Sequence, residues 1–200
     1  MSDAGAEKLS RAERIALRVS VIQTVIAVTG FFIGVIALYA ALNEADAVRK
    51  QLQASVWPHL RVTDINHGVP GEEKFDIIVS NRGIGPAVVK SVAVTVDGEE
   101  KVDWFEVVQT VAGKERFGLS NINIGGAVIA PTEDIVMVSL DSKFATSEIT
   151  RAFRDLTRSG RANLRICYCS VFDDCWTHDA LSGETIETKS CPAHNPASNI

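Results

Sequence analysis

Residues 19–42 contain no charged side chain. A helix rises about 1.5 Å per residue, so about 20 apolar residues cross the hydrocarbon core of a bilayer, which is about 30 Å thick. A secretory signal is the alternative, but its apolar region is usually about 7–15 residues long and ends at a small-residue cleavage site. The absence of charge over this length therefore favours an uncleaved transmembrane helix over residues 19–42.

The sequence also lacks the motifs that mark common enzyme classes. It contains no G-x-S-x-G, no H-E-x-x-H and no P-loop, and its histidines show no paired spacing. The formal net charge of −5 argues against general nucleic-acid binding. We therefore predict no catalytic residue, no cofactor and no nucleic-acid partner.

A glycine-rich segment, NRGIGP at residues 81–86, follows a predicted strand as phosphate-binding loops do. Such loops lead into a helix whose N–H groups face the anion. Here Pro86 and two valines come next, which indicates another strand. We therefore predict a structural turn in which Asn81, Gly83 and Gly85 adopt positive φ.

The cations that flank the apolar run are distributed unequally. Arg49 and Lys50 follow it, whereas four cations precede it: Lys8, Arg11, Arg14 and Arg18. Cytoplasmic flanks carry the excess of Lys and Arg. Residues 1–18 are therefore predicted to form a cytoplasmic tail, with the rest of the chain outside the cytoplasm.

One face of the predicted span carries only small or polar residues at heptad spacing. Its members are Ser20, Gln23, Ala27, Gly30, Gly34, Ala37 and Ala41. Small residues allow close approach of helix backbones within a bilayer, and Gly30 and Gly34 also match the small-xxx-small pattern. The alternative interpretation is that glycine and alanine are simply common in membrane helices, whether or not those helices associate. We predict that this small-residue stripe contacts another helix, either of a second copy or of another membrane protein.

Residues 43–57 contain strong helix formers and no proline before Pro58, which predicts a helical stalk. Residues 58–187 then form a predicted β domain, and residues 188–200 a flexible tail.

The periodicity of the domain is mainly alternating. Strands are predicted near residues 59–65, 75–80 and 87–96, as a pair at 127–130 and 135–140, and as a hairpin at 162–172 and 175–178. Two short helices interrupt them: residues 104–111 after an Asp103 N-cap, and residues 149–156 before Gly160. This pattern predicts an antiparallel β-sandwich of Ig-like type.

Four cysteines lie in or after the predicted hairpin. A five-residue loop would place Cys169 opposite Cys175, and Cys191 would then be free to bond Cys167. Four cysteines allow three pairings, and spacing does not choose among them. The alternatives are free buried thiols, or a metal site formed by Cys169, Cys175, Cys191 and His194.

Three arginines share one face of the second short helix: Arg151, Arg154 and Arg158. They form a candidate contact for phospholipid headgroups or an acidic partner. A solvated helix face is the alternative interpretation.

Three motifs carry a resemblance that extends over nearly the whole chain: VWPHL at residues 56–60, NRGIGPA at 81–87 and CYCSVFDDCW at 167–176. In this order they resemble a group of small uncharacterised bacterial membrane proteins with an N-terminal span and a β-rich, Ig-like domain. The resemblance implies that architecture and a bacterial envelope setting. With the predicted span and its cytoplasmic tail, this setting predicts the bacterial inner membrane. It implies no activity and no catalytic residue.

Together these features predict a membrane-anchored extracytoplasmic binding or assembly module whose partners are the bilayer and a second transmembrane helix. An accessory subunit of a larger membrane complex is the nearest alternative. A Cys/His metal-binding protein or an envelope enzyme is the other.

Overall fold

A computed structural model describes residues 11–193 and residue 200. Its first element is a single helix, α1 (Arg11–Ser55), of 45 residues, which contains the predicted span and most of the predicted stalk. The helix ends shortly before Pro58, as expected from the steric restriction that proline places on the residue before it. The chain divides into two compact units, one ending at Leu52 and the other beginning at Gln53.

Helix α1 buries none of its residues. Among the described residues it is the one helix whose length and composition would allow it to cross a membrane. Its large apolar side chains are exposed on all sides, for example Ile26 and Phe31.

The second unit consists of antiparallel strands and two further helices. In chain order they are β1 (Leu60–His67), β2 (Lys74–Asn81), β3 (Ala87–Val96), β4 (Glu99–Lys101), α2 (Trp104–Ala112), β5 (Ser120–Asn121), β6 (Val128–Ile129), β7 (Asp134–Leu140), α3 (Ser147–Arg158), β8 (Ala162–Cys169), β9 (Cys175–Asp179) and β10 (Thr185–Thr188). One sheet has the order β1-β2-β7-β5. The other has the order β10-β9-β8-β3-β4, with β6 also paired to β3.

Both sheets and both short helices contribute to one buried cluster. Phe153 on α3 is its centre, because its ring makes edge contacts with Phe75 on β2, at 5.6 Å between centroids, and with Trp104 on α2, at 6.4 Å. Burying side chains of this size contributes about 1.5–3 kcal/mol each. The domain thus supplies its own apolar environment.

The two predicted short helices are confirmed. The Asp103 side chain accepts a hydrogen bond from the Glu106 N–H and caps α2, and Thr146 caps α3 in the same way. After α3, Gly160 adopts the left-handed conformation that favours glycine, with φ +79°.

The predicted pairing of residues 127–130 with 135–140 is wrong. Strand β6 pairs with β3 in one sheet, whereas β7 pairs with β2 in the other. Between them Pro131 and Thr132, which has φ +64°, turn the chain from one sheet to the other. The turn is held against the end of β2, because the Thr132 N–H donates to the Asn81 carbonyl at 2.9 Å and the Asn81 N–H donates to the Glu133 carbonyl at 3.0 Å. The chain therefore continues along β2 instead of folding back on β6.

The chain after β9 makes further contacts within the domain. Strand β10 continues to Thr188 and pairs with β9, and Cys191 contacts the sulfur of Cys167. Ile200 is 1% exposed and belongs to the buried cluster. The polar composition of residues 188–193 did not reveal these tertiary contacts. Residues 194–199 lie outside the described residues.

Candidate functional site

The four cysteines come together at the end of the β8–β9 hairpin. Cys169 and Cys175 face each other in the strand register, with Cα atoms 4.0 Å apart and sulfurs at 2.07 Å. The next pair, Ser170 and Asp174, is hydrogen-bonded at 2.8 Å. Cys169 and Cys175 therefore form a non-hydrogen-bonded pair, the position at which opposite side chains approach most closely.

The second pair of sulfurs lies beside the first. Cys167 precedes Cys169 by two residues on β8, so alternation places both side chains on one face of the sheet. Cys191 follows β10 and places its sulfur 2.09 Å from that of Cys167. Both pairs are at disulfide distance. We call these four residues the four-cysteine cluster.

The cluster borders a surface depression of about 390 Å³. Lys90 on β3 and Lys189 after β10 also line it, together with Asp173 of the hairpin loop. Cys191 is partly exposed, whereas the other three cysteines are buried. Solvent therefore reaches the cluster from the side of Cys191.

The same sulfurs form the candidate metal site. The sulfur atoms of Cys169, Cys175 and Cys191 lie within 4.8 Å of one another. A cysteine binds metal as a thiolate, and in this structure each of the three sulfurs is bonded to another sulfur. The paired state thus offers no thiolate ligand, and His194 lies outside the described residues.

The glycine-rich turn is built around Asn81, which is fully buried. Its Oδ1 accepts hydrogen bonds from the N–H groups of His59, at 3.2 Å, and Gly83, at 3.0 Å. Its Nδ2 donates to the carbonyl oxygens of Gly85, at 2.8 Å, and Ile129, at 3.0 Å. One amide therefore joins the turn, the start of β1 and β6.

The positive φ predicted for this turn is wrong, because none of Asn81, Gly83 and Gly85 adopts it. The glycines serve a different purpose. A Cβ atom at Gly83 would overlap the backbone of Trp57 and His59, and one at Gly85 would overlap the carbonyl of Val56. The turn lies directly against residues 56–59, and the Ile84 N–H donates to the Trp57 carbonyl at 3.0 Å.

Strand β1 is hydrogen-bonded to two buried polar side chains of the opposite sheet, Tyr168 on β8 and His178 on β9. The Leu60 N–H donates to the Tyr168 hydroxyl at 3.3 Å, and the Val62 N–H donates to Nε2 of His178 at 3.4 Å. Because Nε2 accepts, the ring proton lies on Nδ1, which is 3.0 Å from the Thr185 hydroxyl. Burial lowers the pKa of His178, and repulsion from His59 lowers it further.

A smaller cavity of about 240 Å³ lies between the sheets and the two short helices. Its walls include Val62, Ile77 and Trp104, and the Arg158–Asp64 ion pair lies at its edge. Small-molecule sites usually measure about 300–1,000 Å³. We therefore assign no ligand to this cavity.

The three predicted anion-contact arginines are each paired with a carboxylate. Arg151 contacts Glu73 at 3.6 Å, Arg154 contacts Asp155 at 2.9 Å, and Arg158 contacts Asp64 at 2.5 Å. Each of these arginines therefore already has an acidic partner in the domain.

The small-residue stripe lies entirely on α1. Apart from the nearby backbone of α1 itself, a Cβ atom added at Gly30 or Gly34 would meet no atom of the described residues within 4 Å. No other contact among these residues therefore requires glycine at these positions.

Lys90 and Lys189 were missed by the sequence analysis. They are distant from the hairpin in the sequence, and only the pairing of β3 with β8 and the return of the chain after β10 bring them to the cysteines. Comparison with protein-family models, curated proteins and solved structures gives no match for this chain.

Proposed function

We propose that this protein is a single-pass membrane-anchored module that holds a β domain outside the cytoplasm of a bacterial cell. The observation that carries the proposal is the all-round exposure of the apolar side chains of α1, which has no charged residue over positions 19–42. Exposing a large apolar side chain to water costs about 1.5–3 kcal/mol relative to burial. A bilayer removes that cost for every side chain of the run.

Two independent features support the orientation. More cations precede the apolar run than follow it closely, which favours a cytoplasmic N-terminus. All four cysteines of the second unit are paired at bonding distance. Disulfides persist in oxidising compartments and are rare in the cytosol. The charge bias and the cysteines thus both support an orientation with the β domain outside the cytoplasm. We also infer that its two antiparallel sheets, which share one buried cluster, form an Ig-like sandwich.

Thiol labelling of the full chain in its native membrane tests this proposal. Cells are quenched in acid to trap the thiols, and the denatured protein is treated with a maleimide polymer with and without prior reduction. We expect labelling only after reduction, and we expect external protease to remove the domain from spheroplasts. Four free thiols in the unreduced sample, together with a protected domain, would contradict the orientation.

We further propose that the module assembles through the small-residue stripe. In a bilayer, apolar burial drives little helix association, so close backbone approach at small residues matters more. Since a Cβ atom at Gly30 or Gly34 meets no described atom within 4 Å beyond the backbone of α1 itself, a loss of association on substitution would report a contact with another helix.

The test compares two double variants in a membrane two-hybrid or crosslinking assay. Gly30→Ile plus Gly34→Ile should abolish association, whereas Ile22→Leu plus Ile36→Leu, on another face, should leave it unchanged. Loss of self-association indicates a homo-oligomer. Loss of a heterologous crosslink with no self-association favours the accessory-subunit alternative. Unchanged association in the glycine variant would refute the role of the stripe.

A further inference from the structure

The two disulfides of the four-cysteine cluster are in contact with each other. The sulfur of Cys169, bonded to Cys175, lies 3.8 Å from the sulfur of Cys191, which is bonded to Cys167. Neither sulfur carries a proton in its disulfide, so this is a direct sulfur–sulfur contact. A thiolate formed at either position would meet the neighbouring disulfide without moving far.

The surroundings favour reaction with a thiol from outside. The cysteines border an open depression of about 390 Å³, and Cys191 is partly exposed there. Lys90 and Lys189 line the same depression. Nearby cations lower the pKa of a cysteine and stabilise the thiolate, which is the reacting species in disulfide exchange.

We propose that the four-cysteine cluster is a thiol–disulfide exchange site that oxidises a dithiol and in doing so changes its own pairing. This activity goes beyond the proposed anchoring and assembly and does not depend on the small-residue stripe. The substrate class is a dithiol, either in a polypeptide or in a small molecule.

The first route begins at the Cys169–Cys175 disulfide. A thiolate of the dithiol attacks the Cys175 sulfur, forms a mixed disulfide and expels the Cys169 thiolate. That thiolate attacks Cys191 across the 3.8 Å contact and expels the Cys167 thiolate, which takes up a proton. The second thiol of the dithiol then releases Cys175 as a thiol and leaves as a disulfide.

The second route begins at the other disulfide and reaches the same product. The dithiol reduces Cys167–Cys191, which leaves a thiolate on Cys191. This thiolate attacks Cys169 across the same contact and expels Cys175. In both routes one dithiol loses two electrons and two protons, and the cluster gains them. The reduced cluster holds one disulfide, Cys169–Cys191, and two thiols, Cys167 and Cys175.

This product fits the surroundings of the two released thiols. Cys167 is buried, and the Thr177 hydroxyl lies 3.4 Å from its sulfur, where it can donate a hydrogen bond. Cys175 is also buried but lines the depression, so its released thiol lies at the edge of the open surface. The new disulfide keeps the segment after β10 attached to β8, so the domain does not lose that connection on reduction.

The decisive experiment treats the oxidised full chain in detergent with an equimolar amount of dithiothreitol. The reaction is quenched in acid, free thiols are alkylated, and peptides are mapped by mass spectrometry. We expect alkylation of Cys167 and Cys175 and a Cys169–Cys191 linked peptide. A partly reduced protein that retains Cys169–Cys175 or Cys167–Cys191 would overturn the proposal, and so would the absence of any reaction with the folded protein.

A pair of double variants tests the contact without any reductant. Cys167→Ser plus Cys175→Ser leaves the two sulfurs that are 3.8 Å apart, and we expect them to form a disulfide in the folded chain. Cys169→Ser plus Cys191→Ser removes the same number of cysteines and should leave two free thiols. Equal thiol contents in the two variants, with native tryptophan fluorescence in both, would refute the exchange geometry.

Discussion

Helix α1 and the β domain contain the same kinds of apolar residue, but these side chains are exposed on α1 and form a buried core in the domain. Ile26 and Ile36 on α1 are 65% and 67% exposed, whereas Ile129 and Ile166 in the domain are fully buried. In the domain, packing within the chain gives these side chains an apolar environment. Among the described residues, α1 has no buried side chain. Composition identifies apolar residues, whereas charge-free length and periodicity indicate what covers them.

The largest effect is expected from placing charge in the proposed span. Ile26→Asp plus Ile33→Asp adds two carboxylates near the middle of the uncharged run, at about 5–7 kcal/mol for the two together. We expect the chain to lose its membrane association while tryptophan fluorescence of the domain stays native. Alkaline extraction of membranes measures the first property. Ile84→Asp plus Ile186→Asp, at exposed sites of the domain, is the matched control. A variant that remains in the membrane would contradict the environment assigned to α1.

The next effect concerns the internal environment of the domain. Asn81→Leu would remove four hydrogen bonds to backbone groups, three of them buried, in Gly83, Gly85 and Ile129, and one part-buried, in His59. Each unsatisfied buried group costs about 1–3 kcal/mol, so we expect a loss of at least about 3 kcal/mol of unfolding free energy.

Thermal unfolding of the full chain, followed by tryptophan fluorescence, measures this loss. All three tryptophans, Trp57, Trp104 and Trp176, lie in the domain, so the signal does not report on α1. Arg82→Leu is the control in the same turn. Arg82 is half-exposed and pairs with Asp134 at the surface, an interaction worth about 0–1 kcal/mol. Equal destabilisation by the two variants would show that the Asn81 hydrogen bonds do not hold the turn.

Local patterns in the sequence predicted local structure well. The 3.6-residue period of Ile149, Phe153 and Leu156 identified the buried face of α3, because a helix determines its own periodicity. The alternation of β3 and the position of the β8–β9 hairpin were equally readable. In each case the information lies within one element or two adjacent ones.

Features that depend on distant segments were mispredicted or missed. Gly83 and Gly85 were assigned to positive φ, yet they are required by the close approach of residues 56–59. The partner of β6 was wrong for a similar reason, since β3 lies about 40 residues earlier in the chain. In the four-cysteine cluster the hairpin pair was foreseeable, but the 3.8 Å contact depends on how the chain returns after β10. The spacing of the cysteines along the sequence does not predict where the segment after β10 lies.

Both disulfides lie in the domain, so their removal should affect the domain and not α1. Cys167→Ser plus Cys191→Ser should lower its stability by about 2–4 kcal/mol and leave the helicity of α1 unchanged. Cys169→Ser plus Cys175→Ser should cost less. The two disulfides close segments with sequence separations of 24 and 6, and the chain-entropy model gives a difference of about 1.2 kcal/mol at that ratio. Thermal unfolding by tryptophan fluorescence measures both variants. A larger loss on removing the shorter link would contradict the entropic account.

The smallest effect is a dependence on pH that belongs to the domain alone. Burial holds the pKa of His178 below its usual value near 6.5. Between its folded pKa and about 6.5 the unfolded chain therefore binds more protons than the folded chain, so stability falls as the pH drops through this window. The pKa values of Asp76 and Asp179 are also lowered, since their hydrogen bonds outweigh the effect of burial, but these groups affect stability only at lower pH, below 3.8.

His178→Gln should reduce the slope of the thermal unfolding midpoint against pH in the range just below 6.5. His67→Gln, at a half-exposed ring, should retain the slope because His178 is still present. A slope that survives in His178→Gln would assign the proton uptake to another group.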